Sequence, residues 1–503
     1  MEDHVIVIGA GFAGLAAATT LAARGHRVIL LEKNEQAGGR ARRYEAEGFT
    51  FDMGPSWYWM PDVFEDYFGR FGKKVSDYYQ LDRMDPSYSI YFEGGDRMDV
   101  PAGQDALTAM FERLEPGSGA KLQQFLEQAE YKYRVGMDEF VHKPGHSIME
   151  FADLRVFASL FRLQMFSSIA KHVRAEFKHP QLRQLLEFPV LFLGATPQRT
   201  PALYSLMNYA DLRLGTWYPR GGMHEIVRGM VSLAEEMGVD IRLNEPVTEL
   251  RTAAGRVTEV VTAKATYRPT GVIAGADYHH VEQNLLPAAD RTYDEAYWRK
   301  RDMAPGSLLF YVGVEGRIPG LHHHTLFFDE DFDRHAYDIY EQPAWPEKPL
   351  FYVCAPSVSD PTTAPKGHEN LFFLIPLAPG LEDTEAEREK YWPILLERFA
   401  RLTGTDISER IVYRRSYAHR DFINDYHAYR GNAYGLANTL LQTAFLKPKM
   451  AAKKVSNLLF AGQLTTPGPG VPPSLISGQV AAVELEKIIG PAVPANATPT
   501  TAP

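Results

Sequence analysis

Gly9, Gly11 and Gly14, in the stretch "HVIVIGAGFAGLAAA", stand at the spacing that lets a backbone wrap a pyrophosphate. Gly9 permits a tight turn, Gly11 lets the chain approach a phosphate, and Gly14 lets a helix pack closely on a strand. Phe12 and Ala13 open that helix, whose free N–H groups and positive dipole end complete a phosphate site. Glu32 ends the next apolar run, where a carboxylate accepts hydrogen bonds from both hydroxyls of a ribose, with Lys33 beside it. This is the chemistry of an adenine dinucleotide, and the motif alone does not separate a nicotinamide from a flavin.

The elements that must hold these residues are a buried parallel strand from His4 to Ile8, an Ala-rich helix, and a second strand from Arg27 to Leu31. A nicotinamide domain would continue into its next helix. Instead "AGGRARRYEAEGFTFDMGPSW" follows, with Gly39 and Arg40 in a tight loop and Gly54, Pro55 and Ser56 in a second turn. Such turns suit a longer cofactor, whose pyrophosphate and flat ring lie beyond the first turn. Late in the chain, "GQLTTPGPGVPP" (462–473) is too rich in glycine and proline for a helix or a strand interior. It joins the strand-like "NLLFA" to the helically spaced "SLISGQVAAVELEKI".

Together these motifs resemble the FAD-binding oxidoreductases that include amine oxidases and carotenoid desaturases. The resemblance implies FAD as cofactor and a C-terminal segment that returns to the flavin. It puts Gly462 and Gln463 after the last strand, and a rigid loop under the isoalloxazine. It also aims a helix starting at Val471 and Pro472 at the flavin pyrimidine ring. Many relatives carry an acid where Gln463 stands; an amide still bonds a ribityl hydroxyl.

"WYPRGGMHEIVRGMVSLAEEMGVDIRLNEPVTEL" (217–250) resembles the desaturase branch and puts Val247 beside the adenine. The "TTPGPG" loop has no aromatic cage and "MAPGSLLFYVGV" no lysine, unlike amine oxidases. The set looks most like the bacterial-type phytoene desaturases. That implies desaturation of an acyclic carotenoid, phytoene toward lycopene, by hydride transfer, with a quinone or oxygen as electron acceptor. A hydroxycarotenoid desaturase, a carotene isomerase and an amine oxidase are the enzymatic alternatives, and a cofactor-free lipid-binding module the non-enzymatic one. Asp277, His279 and His280 are candidates for the proton acceptor; strand-end polar residues near solvent are the equal alternative. "PSWYWMPDVF" (55–64) either lines a substrate tunnel or packs in the core.

The rest of the composition narrows the class. A net charge of −10 over 503 residues gives no basic surplus for a nucleic acid. The single cysteine, Cys354, excludes an internal disulfide, fits a reducing compartment, and reads as a small buried hydrophobe. His322, His323 and His324 are adjacent, lack metal-ligand spacing, and read as a surface loop; no metal is expected. The N-terminus lacks the pattern of a signal peptide, and no apolar run reaches the roughly 20 residues a bilayer needs. A helix over 157–178 carries Phe157, Phe161, Met165, Ile169, Val173 and Phe177 on one stripe, with Arg162, Lys171, Arg174 and Lys178 off it. It either meets anionic lipid or packs on the body. The expected location is therefore cytoplasmic, peripheral on the inner face of the cell membrane.

The expected fold is α/β: a Rossmann-like FAD-binding domain (1–100, 218–282, 450–490) interleaved with an α+β substrate domain (283–449) and a helical cap (101–217). A Pro/Ala/Thr-rich tail over 491–503 is expected to be disordered.

Overall fold

Val5, Ile6, Val7 and Ile8 are all buried, as a strand covered on both faces requires. The computed structural model describes residues 4–145, 164, 167–443 and 446–492. His4–Ile8 is the centre of a five-stranded sheet in the order Leu458–Phe460, Pro269–Ala274, His4–Ile8, Arg27–Leu31, Asp240–Arg242. Each adjacent pair is parallel. Three distant parts of the chain therefore build one nucleotide sheet.

Helices Phe12–Ala23 and Val471–Ile489 cross on this sheet at very short range. A Cβ on Gly14 would lie 1.8 Å from Gly9 O, and one on Gly478 would lie 2.0 Å from Ala13 O. The glycines set the separation between turn, first helix and last helix.

A second, seven-stranded sheet runs Ile411–Tyr417, Gly306–Glu315, His368–Leu377, Phe351–Cys354, His324–Phe328, Tyr88–Phe92, Arg97–Val100. The division at residue 100 is thus corrected: Tyr88–Phe92 pairs in parallel with His324–Phe328, and Arg97–Val100 adds antiparallel to it as the edge strand of this sheet. The near-continuous apolar run "YSIYF" is satisfied by burial on both faces, which either sheet could have supplied. Helices Gln104–Leu114, Ser118–Val135, Ile169–Glu176 and Pro180–Glu187 lie between Tyr88–Val100 and the return to the nucleotide sheet.

Of the two readings of the 157–178 stripe, packing on the body holds where the helix is described. Ile169, Val173 and Phe177 are fully buried, with Phe177 edge-on to Phe111 and Phe125. Ser168 caps the helix by accepting from Lys171 N, and Arg174 pairs with the buried Glu187 at 2.8 Å. An amphipathic stripe has the same period whether it faces lipid or a protein core, and here the core takes it. Phe157, Phe161, Arg162, Met165 and the tail over 493–503 lie outside the described residues. Among the described residues no helix is long and apolar enough to cross a membrane.

Burial sets the sign of the pH dependence. His280 and His323 are pushed down to about 3, and His172, His335 and His427 to about 4, by loss of solvent. An imidazole depressed in the fold contributes stability above its unfolded pKa, near 6.5, and loses it as pH falls toward the folded value. Asp52 (raised to about 6), Asp211 and Glu282 (each to about 7) act oppositely over the same window. The five imidazoles outweigh the three carboxyls, so the thermal midpoint of the cofactor-free protein is expected to fall between pH 7 and pH 5. A midpoint that rises on that acidification, followed by circular dichroism, contradicts the assignment.

Candidate active site

One cavity of about 840 Å³ joins the nucleotide sheet to the seven-stranded sheet. At one end lie Gly9, Gly11, Phe12, Ala13, Glu32 and Lys33. Glu32 is 4% exposed and accepts from Ala10 N at 2.8 Å and Asn34 N at 2.9 Å. Two backbone N–H groups thus fix the carboxylate without using all its lone pairs. Gly14 does not reach the cavity; its role is the contact with Gly9 O.

Gly39, Arg40, Gly54, Pro55 and Ser56 continue the wall. A Cβ on Gly54 would lie 2.5 Å from Arg40 O, so the two turns are stacked backbone on backbone. Arg40 donates Nη2 to Asn432 O at 3.2 Å and lies over Tyr426, while its Nε has no partner. Val247, Gly462, Gln463, Val471 and Pro472 close the wall. Gln463 donates to Asn432 Oδ1 at 3.2 Å.

The last helix adds a detail. Pro472 and Pro473 carry no N–H, and Ser474 N is spent on Gly470 O at 3.0 Å. Val471 N is the free backbone donor of the first turn, so the helix acts there mainly through its dipole. The loop before it is pinned by Ser477, whose Oγ accepts from Gly462 N and donates to Thr466 O.

These residues fit FAD. Arg40, on the same cavity wall, has an unpartnered guanidinium nitrogen, and a Cβ on Gly11 would meet no protein atom within 4 Å, so open space lies where a pyrophosphate would approach. Glu32 would hold the ribose, Gly11 and Arg40 the phosphates, and the Gly54–Ser56 turn and the Val471 helix the isoalloxazine.

Of the proton-acceptor candidates, Asp277 and His280 line the same cavity and His279 does not. Asp277 caps a helical turn by accepting from His280 N at 3.1 Å, and also accepts from Tyr429 N. His279 is bonded to Glu295 at 2.7 Å and is not part of the wall. His280 stacks on His427 at 3.8 Å, near Lys33. Asp277 lies near Arg40 and His280 near Lys33, and all three are engaged by structural partners.

Beyond the flavin turn the wall becomes apolar, formed by Trp57, Leu309, Phe372, Leu374, Leu206 and Phe140. The aromatic segment splits by position: Trp57 and Trp59 line the cavity, while Tyr58 and Phe64 are in the core. Sequence reasoning missed Ser307, Tyr352 and Asn438, polar groups on this wall that lie on scattered strands and loops with no shared motif. It also misplaced the histidines. His323 and His324 are 5% and 0% exposed, His324 opens a sheet strand opposite Cys354, and Trp57 stacks on it at 4.2 Å. His322 is part-exposed and bonds Ser89. Cys354 is buried, its thiol pushed up to about 12 by loss of solvent.

Comparison with known proteins agrees with this geometry. Residues 12–485 match the family model of the flavin containing amine oxidoreductases. A carotenoid 3,4-desaturase from Haloarcula japonica is 45% identical, over 95% of this chain and 97% of that protein. A zeta-carotene-forming phytoene desaturase from Myxococcus xanthus is 34% identical, over 95% and 92%. Among solved structures, putrescine oxidase bound to putrescine aligns at a TM-score of 0.63 with 15% identity, over 97% and 99% of the two chains. An oxidoreductase from Methanosarcina mazei aligns at 0.61 with 14% identity, over 96% and 100%. The structural likenesses carry the α/β flavoenzyme fold. The sequence matches carry the class of reaction. The chain belongs to the flavin-containing amine oxidoreductase family and, within it, to the FAD-dependent carotenoid desaturases that oxidise CH–CH bonds.

Proposed function

We propose that this desaturase introduces a double bond at the 3,4 position of an acyclic carotenoid. The observation that carries the reading is the 45% identity to the Haloarcula japonica 3,4-desaturase over nearly the whole of both chains, against 34% for the phytoene desaturase of Myxococcus xanthus. The wall formed by Trp57, Leu309, Phe372 and Leu374 supports a hydrocarbon substrate, which offers nothing for a charged clamp to hold.

Bound FAD supplies a two-electron acceptor for hydride. The protein's share is alignment and dryness: the apolar wall lays an allylic CH₂ against the flavin face and keeps water from it. Phytoene is the second reading, favoured by the Myxococcus xanthus match. We place the enzyme on the inner face of the cell membrane, where such substrates dissolve, with a quinone or oxygen taking the electrons.

The test is anaerobic, with holoenzyme, lycopene or phytoene in liposomes, and no acceptor. Lycopene is expected to bleach the flavin and to gain roughly one double bond per flavin, since each flavin takes one hydride before reoxidation. A quinone then restarts turnover. Bleaching by phytoene with lycopene inert transfers the assignment to the second reading.

A further inference from the structure

Three side chains of the kind that binds soft metals meet behind the cavity wall. His324 stands directly opposite Cys354 in the antiparallel pairing of His324–Phe328 with Phe351–Cys354, so their side chains leave the same face of the sheet. His323 precedes the first residue of that strand, and strand alternation does not separate it from His324: the two rings lie 4.4 Å apart. One nitrogen from each ring and the Cys354 sulfur lie within 4.8 Å of one another. All three residues are buried, and none of them lines the 840 Å³ cavity.

The hydrogen bonds decide which nitrogen of each ring is free. Tyr352 Oη donates to Ser56 Oγ at 3.1 Å, so toward His324 Nδ1, at 2.6 Å, it accepts, and Nδ1 carries the His324 proton. Ser359 Oγ donates to Pro356 O at 3.4 Å, so it accepts from His323 Nδ1. Each Nε2 is then a bare lone pair, and both are buried without a partner. An acceptor left unsatisfied in the core costs stability, and here two of them stand beside a thiol. A ring oriented through Nδ1 and bare at Nε2 is also the arrangement of a metal-binding histidine. Asp52 acts on Cys354 and Asp360 on His323, so two carboxylates offset a positive charge placed there. A void of about 10 Å³, lined by Asp52, His323, Cys354 and Asn370, leaves room for one water as a further ligand.

We propose that His323 Nε2, His324 Nε2 and Cys354 Sγ hold one thiophilic closed-shell ion, zinc(II) or copper(I). Two imidazoles and a thiolate are a donor set that both ions accept. On binding, the S–H bond breaks and its proton goes to solvent. The sulfur keeps the electron pair and gives it to the ion, and nothing is oxidised or reduced. Bonds of about 2.0 Å to nitrogen and 2.3 Å to sulfur bring such donors to roughly 3.5 Å apart, so the site closes on loading. The ion ties the start of His324–Phe328 to the end of Phe351–Cys354. Trp57 lies flat on His324 and Tyr352 bonds it, and both line the cavity, so the tie braces the wall from behind. Its role is structural and does not depend on which carotenoid is oxidised.

The test takes untagged holoenzyme, strips it with a chelator, offers it zinc chloride or, under argon, copper(I), and then desalts it. One ion retained per chain is expected by mass spectrometry. X-ray absorption at the edge of the retained metal is expected to show one sulfur at about 2.3 Å beside imidazole nitrogens, and the two arms together say which ion the site prefers. Ser359→Ala, at an exposed position, is expected to weaken binding by about 10- to 100-fold, the usual cost of an outer partner of a ligand. Cys354→Ser is expected to lose more than that, and its melting midpoint should no longer rise on loading as the wild type's does. If Cys354→Ser does not fold, Ser359→Ala and the sulfur signal decide. Retention of neither ion by the wild type, a metal shell of oxygen and nitrogen alone, or equal binding by Cys354→Ser overturns the site.

Discussion

Gly11→Val is expected to give a folded, colourless protein, whereas Gly14→Val and Gly478→Val are expected to give little folded protein at all. All three remove a glycine near the same turn, and the difference lies in what the new side chain meets. Gly11 has φ −77° and ψ −178°, extended backbone that a β-branched residue adopts readily. An added Cβ would meet no protein atom within 4 Å at this point of the cavity wall. The fold is untouched, and the space for the pyrophosphate is lost. At Gly14 the first added carbon falls 1.8 Å from Gly9 O, and at Gly478 it falls 2.0 Å from Ala13 O. Both obstacles are backbone, so no rotamer relieves them, and the two helices must separate from the sheet they cover. Flavin absorbance read beside far-ultraviolet circular dichroism distinguishes the outcomes. A full flavin complement in Gly11→Val would show that the cofactor cradle lies elsewhere.

That contrast shows why part of the site was legible in the sequence. A glycine turn that must hold a phosphate, a strand and a helix together leaves few backbone solutions, so Gly9, Gly11, Gly14 and Glu32 are local signals of geometry. The same holds for the loop before Val471, whose prolines and glycines cannot belong to a regular element. What stayed hidden depends on contacts between distant strands. Nothing near Tyr88 says that it will extend the sheet of His324, and nothing near His324 says that Trp57 will cover it. Adjacent histidines in a polar-looking stretch read as solvent-exposed until Cys354 and Tyr352 pack against them. The stripe through Ile169 and Val173 fails for a related reason: period alone specifies an apolar face and leaves its partner open.

Arg40→Met is expected to move two measurements in opposite directions. The Arg40 head group makes one hydrogen bond, to Asn432 O, and its Nε has none. The carboxylate that acts on it most, Asp277, is already accepting from His280 N and Tyr429 N. Burial therefore depresses the guanidinium pKa, and Asp277 offsets this only in part. The buried, unpartnered Nε costs the cofactor-free fold stability. Methionine keeps an apolar stem against Tyr426 and removes the charge. The cofactor-free variant is thus expected to melt higher than the wild type. FAD affinity should fall by about 10- to 100-fold, the loss of a charge-assisted hydrogen bond of roughly 1.5–3 kcal/mol to a phosphate. Thermal melts of the stripped proteins, with FAD titrations followed by flavin fluorescence, read both quantities. A variant that melts lower and still binds FAD at wild-type strength would make Arg40 a strut between the Asn432 and Tyr426 loops, and the pyrophosphate would need another cation.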